Sequence, residues 1–281
     1  MDKNILFDVH GHPQFPVYDG DRDAVIRRAQ EAGVKMIAVG TQFSTSRAAI
    51  DLSRQYPEDV WAAVGYHPGH SNENSHHDKK EQRETGQELF DIGQFRKLAG
   101  DEKVVAIGEC GLDYFRLPDN FDADKFKKNQ EKVFQEQFNL ALDLKKPLMV
   151  HCRPSNKTQD SYLDLMDLVG KASLDLPVIL HFYAGLPEIT KKFVDRGFYF
   201  TFGGVITFSD DYNESIESIP VERIMLETDC PYVAPKSRRG KRNEPAFVVE
   251  VAQKMAKLKK LPLDSLIEKL RENVNGVFKI F

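Results

Sequence analysis

Short apolar runs alternate with longer amphipathic segments along the whole chain, and this alternation predicts an α/β fold. Eight runs rich in β-branched and aromatic residues are predicted as strands: Ile5–Val9, Lys35–Val39, Val60–Gly65, Val104–Gly108, Pro147–Val150, Val178–Leu180, Tyr199–Phe202 and Arg223–Leu226. The segments between them show helical spacing, as in the one with apolar residues at Phe134, Phe138, Ala141 and Leu142. Eight strand–helix repeats favour a (β/α)8 TIM barrel, with a doubly wound open sheet as the alternative.

No linker or shift in composition divides the chain, so we expect a single domain over residues 1–281. A polar insertion at about residues 70–87 follows the third predicted strand, and its sequence, HSNENSHHDKKEQRETGQ, shows no periodicity. His76 and His77 lie in this charged run, where side chains are usually solvated. We therefore do not predict them as metal ligands.

Composition and charge limit the class of protein. The 281 residues are 41% hydrophobic and 29% charged, which is typical of a soluble globular protein. The chain has no apolar run of about 18 residues that would predict a membrane span, and its start, MDKNILFDVHGH, does not resemble a secretory signal. We expect a cytoplasmic protein without membrane contact. The formal net charge of −4 provides no general attraction for nucleic acid, so any such attraction must be local.

The three cysteines do not form a disulfide framework, since their number is odd. Cys110, Cys152 and Cys230 each follow a glutamate, histidine or aspartate that could bind metal. If those neighbours face a site, the alternation of side chains points the cysteines away from it. We predict that they pack as small buried side chains.

The stretch FDVHGHPQF places three polar side chains, Asp8, His10 and His12, at every second position of the first predicted strand. Side chains two residues apart on a strand point to the same face, so all three are predicted to face one site. A hydrogen-bonded turn or a chance cluster is the alternative for such a motif taken alone.

Six residues that can bind metal stand at the carboxyl ends of five predicted strands. They are His10 and His12 after the first strand, Glu109 after the fourth, His151 after the fifth, His181 after the sixth and Asp229 after the eighth. Barrel enzymes build their active sites at this end of the strands. A single histidine there usually belongs to hydrogen-bonded structure, but the shared position of all six favours one metal site.

The ligand types limit the metal. Imidazole and carboxylate groups without thiolate suit Zn, Mn, Ni, Co or Mg. Six ligands exceed the three protein ligands of a typical catalytic zinc, so we predict two divalent ions bridged by a carboxylate. Paired ions of this kind lie about 3.5–4 Å apart and lower the pKa of a bound water to about 7.

Several motifs along the chain resemble those of the TatD-type metal-dependent deoxyribonucleases, a family of amidohydrolase-like barrels. FDVHGHPQF is similar to the family's D-x-H-x-H motif, and AVGYHPGH, IGECGLDY, PLMVHCR, LHFYAG and LETDCPYVAP followed by RGKRNEP occur in the family's order. Together they extend from Asp8 to Pro245. Two departures bear on substrate selection: Pro13 replaces the usual apolar residue after the second histidine, and the polar insertion is longer than the family pattern.

The resemblance implies roles for the six candidate ligands. His10, His12, Glu109 and Asp229 are implied to hold one divalent ion, and Glu109 to bridge to a second ion that His151 and His181 also hold. Asp229 is further implied to be the base that takes a proton from the attacking water. His67, in GYHP, lies near the site in the family but is not predicted as a ligand. We also predict that Asp8 hydrogen-bonds a ligand and orients it.

The substrate is suggested by local positive charge. The segment KSRRGKR follows the eighth strand, and its Arg238, Arg239, Lys241 and Arg242 are candidates for phosphate binding, together with Arg153 and Lys157 after the fifth strand. The alternative is a solvated charged surface. Four aromatic residues in loops at this end are candidates for stacking on bases, with internal packing as the alternative: Tyr66, Tyr114, Phe115 and Tyr183.

The sequence therefore predicts a metal-dependent phosphodiester hydrolase, a deoxyribonuclease acting exonuclease-like on DNA ends or single strands through a water activated by two metal ions. The first alternative is a two-metal hydrolase of small molecules, such as an amidase, lactonase or esterase, because barrels support many reactions. The second alternative is an inactive metal-binding interaction module. The complete set of six ligands argues against it.

Overall fold

The computed structural model of the protein describes residues 5–72, 78–82, 88–115, 122–170 and 176–280, and eight parallel strands follow one another through them in chain order. The strands are β1 Leu6–Gly11, β2 Val34–Val39, β3 Val60–Val64, β4 Val104–Asp113, β5 Leu148–Arg153, β6 Val178–His181, β7 Tyr199–Phe202 and β8 Ile224–Leu226. Two backbone hydrogen bonds join the end of β1 to the segment after β8: Asp229 N–H donates to the His10 carbonyl and His12 N–H to the Cys230 carbonyl, both at 2.8 Å. The sheet is a (β/α)8 TIM barrel, as predicted.

Helices between the strands cover the outside of the barrel. Those in the described residues are α1 Arg22–Glu31, α2 Phe43–Gln55, α3 Ile92–Ala99, α4 Ala123–Leu144, α5 Asp160–Val169, α6 Pro187–Asp195, α7 Asn213–Ser218, α8 Val248–Lys259 and α9 Leu263–Phe278. Helix α4 begins where the Asp122 carboxylate accepts backbone N–H groups of the first turn. Its residues Phe134, Phe138 and Ala141 are buried as predicted, whereas Leu142 is 38% exposed because it lies at the edge of the buried stripe. Within the described residues, no helix is both long and apolar enough to span a bilayer.

Two apolar layers surround the strands. Outward-facing strand residues such as Met36 and Leu148 pack against the helices. Inward-facing residues, including Val9 and Met149, fill the barrel, and Phe278 of α9 packs with this cluster. Because the barrel interior is filled by side chains, the carboxyl end of the strands remains as the place for a site.

Strand β4 is five residues longer than predicted and carries Glu109 inside it. The pairing of β4 with β5 shifts in register between Ile107 and Cys110 and then continues to Asp113. The predicted strand ended at Gly108, but β4 continues through Gly111, which is required by the close approach of the two strands. It has φ +140°, and a Cβ there would lie 1.9 Å from the His151 carbonyl oxygen.

Candidate metal centre

Strand β1 delivers His10 and His12 to the interior of the barrel, but it does not deliver Asp8. The β1–β2 pairing shifts between Asp8, which pairs with Met36, and Gly11, which pairs with Ala38. Two residues of β1 therefore lie between these pairs, opposite one residue of β2. This extra residue reverses the alternation between Asp8 and His10. The prediction that all three side chains share a face was therefore wrong for Asp8.

The Asp8 carboxylate instead binds the chain just before Asp229. It accepts the Thr228 backbone N–H at 2.8 Å and the Thr228 hydroxyl at 2.5 Å. Its contact with His10 is a 3.4 Å approach to the backbone N–H, not to the imidazole. Burial raises the pKa of Asp8 to about 8, against these hydrogen bonds, which lower it. Asp8 thus holds the end of β8 beside β1, and the prediction that it orients a ligand side chain was wrong.

The Glu109 carboxylate lies at the centre of the cluster, and its two oxygens face different histidines. Oε2 is 3.3 Å from His10 Nε2 and 3.8 Å from His12 Nε2. Oε1 is 3.0 Å from His151 Nδ1 and 2.8 Å from His181 Nε2. The structure thereby brings the predicted residues together as two adjoining groups that share Glu109.

Asp229 completes the first of these groups. Its Oδ1 is 3.3 Å from His12 Nε2 and 4.0 Å from His10 Nε2. Burial opposes ionisation, but the hydrogen bond and charge of His12 outweigh it and hold the pKa of Asp229 below its ordinary value. The Asp229 side chain is 18% exposed, compared with 5% for Glu109, so its carboxylate is the one that water reaches more easily.

In the first group, the contact made by one ring nitrogen of each histidine determines which nitrogen is left to face the carboxylates. His12 Nδ1 is 2.7 Å from the Val39 carbonyl oxygen, which can only accept, so Nδ1 carries the proton. His10 Nδ1 is 2.9 Å from the sulfur of Met149. The Nε2 lone pairs of both histidines therefore point to the carboxylates, and His10 Nε2 is buried without a hydrogen-bond partner among the described residues.

The second group is held by two carboxylates that the sequence did not single out. His151 Nε2 is 3.3 Å from Asp113 Oδ2, which leaves Nδ1 facing Glu109 and His181. Gln130 of α4 fixes Asp113 by accepting its backbone N–H at 2.8 Å and donating to its carbonyl at 3.0 Å. Glu227 Oε2 lies 3.7 Å from His181 Nδ1. Asp113 is the penultimate residue of the GECGLDY motif, four residues after Glu109, and this position in the motif was the available signal.

His67 contacts the same carboxylate in a different way. Its Nδ1 accepts the Gly69 N–H at 2.9 Å, so the proton of the neutral ring is on Nε2, which is 3.4 Å from Glu109 Oε1. Burial lowers the pKa of His67 to about 3. A neutral ring with its proton on Nε2 donates to Glu109, yet His67 also forms, with Glu109 and His151, a set of side chains close enough to hold a metal ion.

The arrangement fits divalent metal. Three sets of ligand atoms each lie within 4.8 Å of one another: those of His10, His181 and Asp229, those of His10, His12 and Glu109, and those of His67, Glu109 and His151. Lone pairs facing carboxylate oxygens in a buried space repel each other unless a cation or a proton lies between them. Imidazole and carboxylate donors suit the borderline and hard divalent ions. Cys110 and Cys230 are buried and pack away from the cavity, as predicted, whereas Cys152 is also buried but belongs to the cavity lining.

The cluster forms the floor of a cavity of about 570 Å³ that opens at the carboxyl end of the strands. Arg153 lines this cavity, and its guanidinium lies 3.8 Å from the centre of the Phe115 ring. Six aromatic residues that the sequence analysis missed also line it: Phe15, Phe126, Tyr162, Phe182, Tyr212 and Tyr232. Of the four aromatics predicted for stacking on bases, only Phe115 is exposed; Tyr66, Tyr114 and Tyr183 are fully buried in packing, so those three predictions were wrong.

The predicted basic segment does not line the cavity. Arg242 is bound to both carboxylate oxygens of Asp21, at 2.8 and 2.6 Å, and lies over the Tyr18 ring. Through this ion pair Arg242 has a structural role. Arg239 lies 4.1 Å from the centre of the Phe208 ring and Arg238 5.1 Å from that of Phe247. Lys241 is exposed in the same segment, and Lys157 is exposed after β5.

Part of the predicted insertion forms a wall of the cavity. Of residues 70–87, the structure describes 70–72 and 78–82; His76 and His77 lie outside the described residues. Glu81 is buried, 2.9 Å from His70 Nε2, and accepts hydrogen bonds from Thr41 and Gln42. Burial acts to raise the pKa of Glu81, but the His70 and Thr41 hydrogen bonds lower it to about 2.

Asp78 closes the same wall by accepting the Tyr232 hydroxyl at 2.7 Å. Both Asp78 and Glu81 line the cavity. We call the carboxylates of Asp78 and Glu81 the acidic wall; the exposed Lys79 and Lys80 lie between them in the chain.

Comparisons with known proteins agree with the motifs. The sequence model of the family described as TatD related DNase matches residues 7–279. The chain is 32% identical over 280 residues to the uncharacterized metal-dependent hydrolase YabD of Bacillus subtilis, covering 98% of this chain and 100% of that protein. It is 33% identical over 261 residues to the 3'-5' ssDNA/RNA exonuclease TatD of Salmonella typhimurium, covering 89% and 90%. The crystal structure of YJJV, a TatD homologue from Escherichia coli K12, superposes with a TM-score of 0.80 at 26% identity, covering 99% and 100% of the two chains.

Proposed function

The chain belongs to the TatD related DNase family and is a metal-dependent hydrolase of ester bonds, and on that premise we propose that it hydrolyses phosphodiester bonds at the ends or in single strands of nucleic acid. The observation that carries this proposal is the division of the Glu109 carboxylate, with one oxygen toward His10 and the other toward His151 and His181. A carboxylate in this position can bridge two cations.

Under this proposal, His10, His12 and Asp229 hold one divalent ion, His151 and His181 hold the second, and Glu109 bridges them. When bound, two such ions lower the pKa of a water to about 7 and neutralise the charge that develops on the attacking and leaving oxygens. The hydrogen bonds from the far nitrogens of His12 and His151 keep the ligand lone pairs directed inward, so little reorganisation accompanies binding.

Asp229 is the proposed general base. It is the more exposed of the two central carboxylates, so it is the one placed to accept a proton from the attacking water. Glu109, which is more deeply buried and surrounded by imidazoles, is suited to a bridging role. Burial opposes its ionisation, but His181, His67 and His10 hold its pKa well below the ordinary value.

The substrate class follows from the cavity and the relatives. Arg153 can bind a phosphate with its planar guanidinium at the wall of the cavity. A volume of about 570 Å³ lies in the range of small-ligand pockets, which suits the end of a strand better than a duplex. The relative named a 3'-5' ssDNA/RNA exonuclease supports nucleic acid as the substrate.

A second candidate function is hydrolysis of small esters, amides or lactones by the same centre. The cavity volume of about 570 Å³, which lies in the range of small-ligand pockets, favours it. An inactive binding module is the least supported, because the six predicted ligand residues are all present and converge.

The test is a substrate panel with the purified protein, reloaded separately with Mg, Mn, Zn, Co or Ni after chelation. We expect cleavage of single-stranded oligonucleotides labelled at either end, with release of short products, and loss of cleavage after chelation. The end from which the label is first released gives the polarity. Hydrolysis of esters or lactones without any cleavage of oligonucleotides would contradict the proposal and favour the second candidate.

A further inference from the structure

One half of the cavity mouth carries two exposed phenylalanines, each with an arginine guanidinium on its ring. Arg153 lies 3.8 Å from the Phe115 ring centre, and Arg239 lies 4.1 Å from the Phe208 ring centre. Phe115 is 49% exposed and Phe208 is 36% exposed. Single exposed apolar side chains are common on protein surfaces; the feature that Phe115 and Phe208 share is the guanidinium over the ring.

Both pairs lie at the carboxyl end of the barrel, on either side of the loop that follows β6. Phe115 comes two residues after β4, and Arg153 ends β5. Phe208 and Arg239 lie in the loops after β7 and β8, which are joined where Lys236 N–H donates to the Thr207 hydroxyl at 2.8 Å. The second pair is therefore held in place by contacts between two loops.

The chemistry of the pairs matches one class of ligand. A ring offers a flat apolar face to a base, and the adjacent guanidinium offers both a second flat surface and a positive charge for a phosphate. Single-stranded nucleic acid presents flat bases and phosphates in alternation, and aromatic platforms within a basic groove are how proteins bind it without sequence preference.

We propose that Phe115 with Arg153 and Phe208 with Arg239 form a track that binds single-stranded nucleic acid leading into the cavity. The inference rests on the proposed function and adds the direction of approach: the strand enters over β5 to β8. Strands in a sheet are about 4.8 Å apart, so β5 and β8 are separated by about 14 Å along the barrel wall. The Phe208–Arg239 pair therefore contacts nucleotides away from the cleaved bond.

The test measures equilibrium binding of fluorescent dinucleotides and decanucleotides to the metal-loaded protein in an Asp229→Asn background, which prevents turnover. We expect Phe208→Leu, which keeps apolar volume but removes the aromatic face, to weaken decanucleotide binding about tenfold, in line with the cost of losing one stacked base. Dinucleotide binding is expected to change little. Phe208→Trp should retain affinity, because it restores a stacking surface.

Leu186→Ala is the matched control. Leu186 is 55% exposed and opens α6 at the same end of the barrel, and no arginine is recorded over its side chain among the described contacts. Unchanged decanucleotide affinity in Phe208→Leu and Phe115→Leu, or an equal loss in Leu186→Ala, would overturn the track while leaving the proposed function intact. If the parent neither binds nor cleaves any oligonucleotide, the proposed function fails and the track fails with it.

Discussion

The floor of the cavity and its mouth are built from different parts of the chain. On the floor, strand ends hold His10 and Glu109 in full burial, and hydrogen bonds fix the orientation of each ring. At the mouth, loops carry exposed side chains such as Phe115 and Arg239. The barrel strands therefore determine where the catalytic groups lie, whereas the loops determine which substrate reaches them.

The largest effect is expected at the floor. Asp229→Asn keeps the shape of the side chain but removes its charge and basicity, and loss of a general base alone costs about 10²–10⁴ in rate. We expect turnover to fall on every substrate, from small activated diesters to oligonucleotides. Steady-state kinetics on both classes will check this. If the variant loses activity on oligonucleotides only, Asp229 acts in substrate binding. The difference in role between the floor and the mouth would then disappear.

The contribution of the acidic wall to stability shows whether that side of the cavity mouth is held as firmly as the floor. Because the pKa of Glu81 is lowered to about 2, its ionised form stabilises the fold above its unfolded value near 4.5, and this contribution is lost as the pH falls toward 2. The shift corresponds to at most about 3 kcal/mol. We expect Glu81→Gln to lower the free energy of unfolding at pH 7, and the difference from the parent to shrink below pH 4.5 in denaturant titrations.

An exposed carboxylate provides the control for this measurement. Glu31 lies on the exposed end of α1, so Glu31→Gln should change stability by less than about 0.5 kcal/mol. A Glu81→Gln difference that stays constant from pH 7 to pH 2 would show that the charge of Glu81 does not hold the wall.

A change at Asp113 tests the two ligand groups of the floor separately. It hydrogen-bonds only His151 among the six proposed ligands, so Asp113→Ala should weaken one of the two ions and spare the other. Partners of this kind typically contribute 10- to 100-fold in metal affinity, a range of about 1.4 to 2.7 kcal/mol. Metal per chain after dialysis against a weak chelator will show this. Asp113→Asn, which keeps an accepting oxygen, should fall between the parent and Asp113→Ala. Equal loss of both ions would contradict the separate roles.

The smallest effect is expected within the basic segment, where two arginines are used differently. Arg239→Ala should reduce the log–log salt dependence of oligonucleotide binding by about 0.7, the value for one phosphate contact on a single strand. Arg242→Ala should leave that slope unchanged and lower stability by about 1 kcal/mol, because Arg242 is bound to Asp21. The reverse pattern would place the phosphate contact at Arg242.

The position of the floor could be predicted from the sequence because it depends on a simple regularity. Buried parallel strands read as short apolar runs, and residues such as His151 and His181 stand directly at their ends. Barrel closure then brings those ends together. The extra residue in β1 could not be predicted, since a register shift has no composition of its own, and it reversed the side on which Asp8 lies.

The mouth was largely beyond sequence analysis because its side chains are placed by contacts between distant loops. Nothing local distinguishes Tyr183, which is buried, from Phe182 beside it, which lines the cavity. Similarly, the charge of Arg242 suggested phosphate binding, but Asp21, more than two hundred residues away in the chain, holds it. Glu81 appeared to belong to a solvated insertion until its partner His70 was located.

The most direct test of the central claim is anomalous diffraction from crystals of the protein grown with Mn²⁺. The account predicts two peaks about 3.5–4 Å apart on opposite sides of the Glu109 carboxylate, one beside His12 and Asp229 and the other beside His151 and His181. A single peak, or peaks that lie away from Glu109, would contradict it.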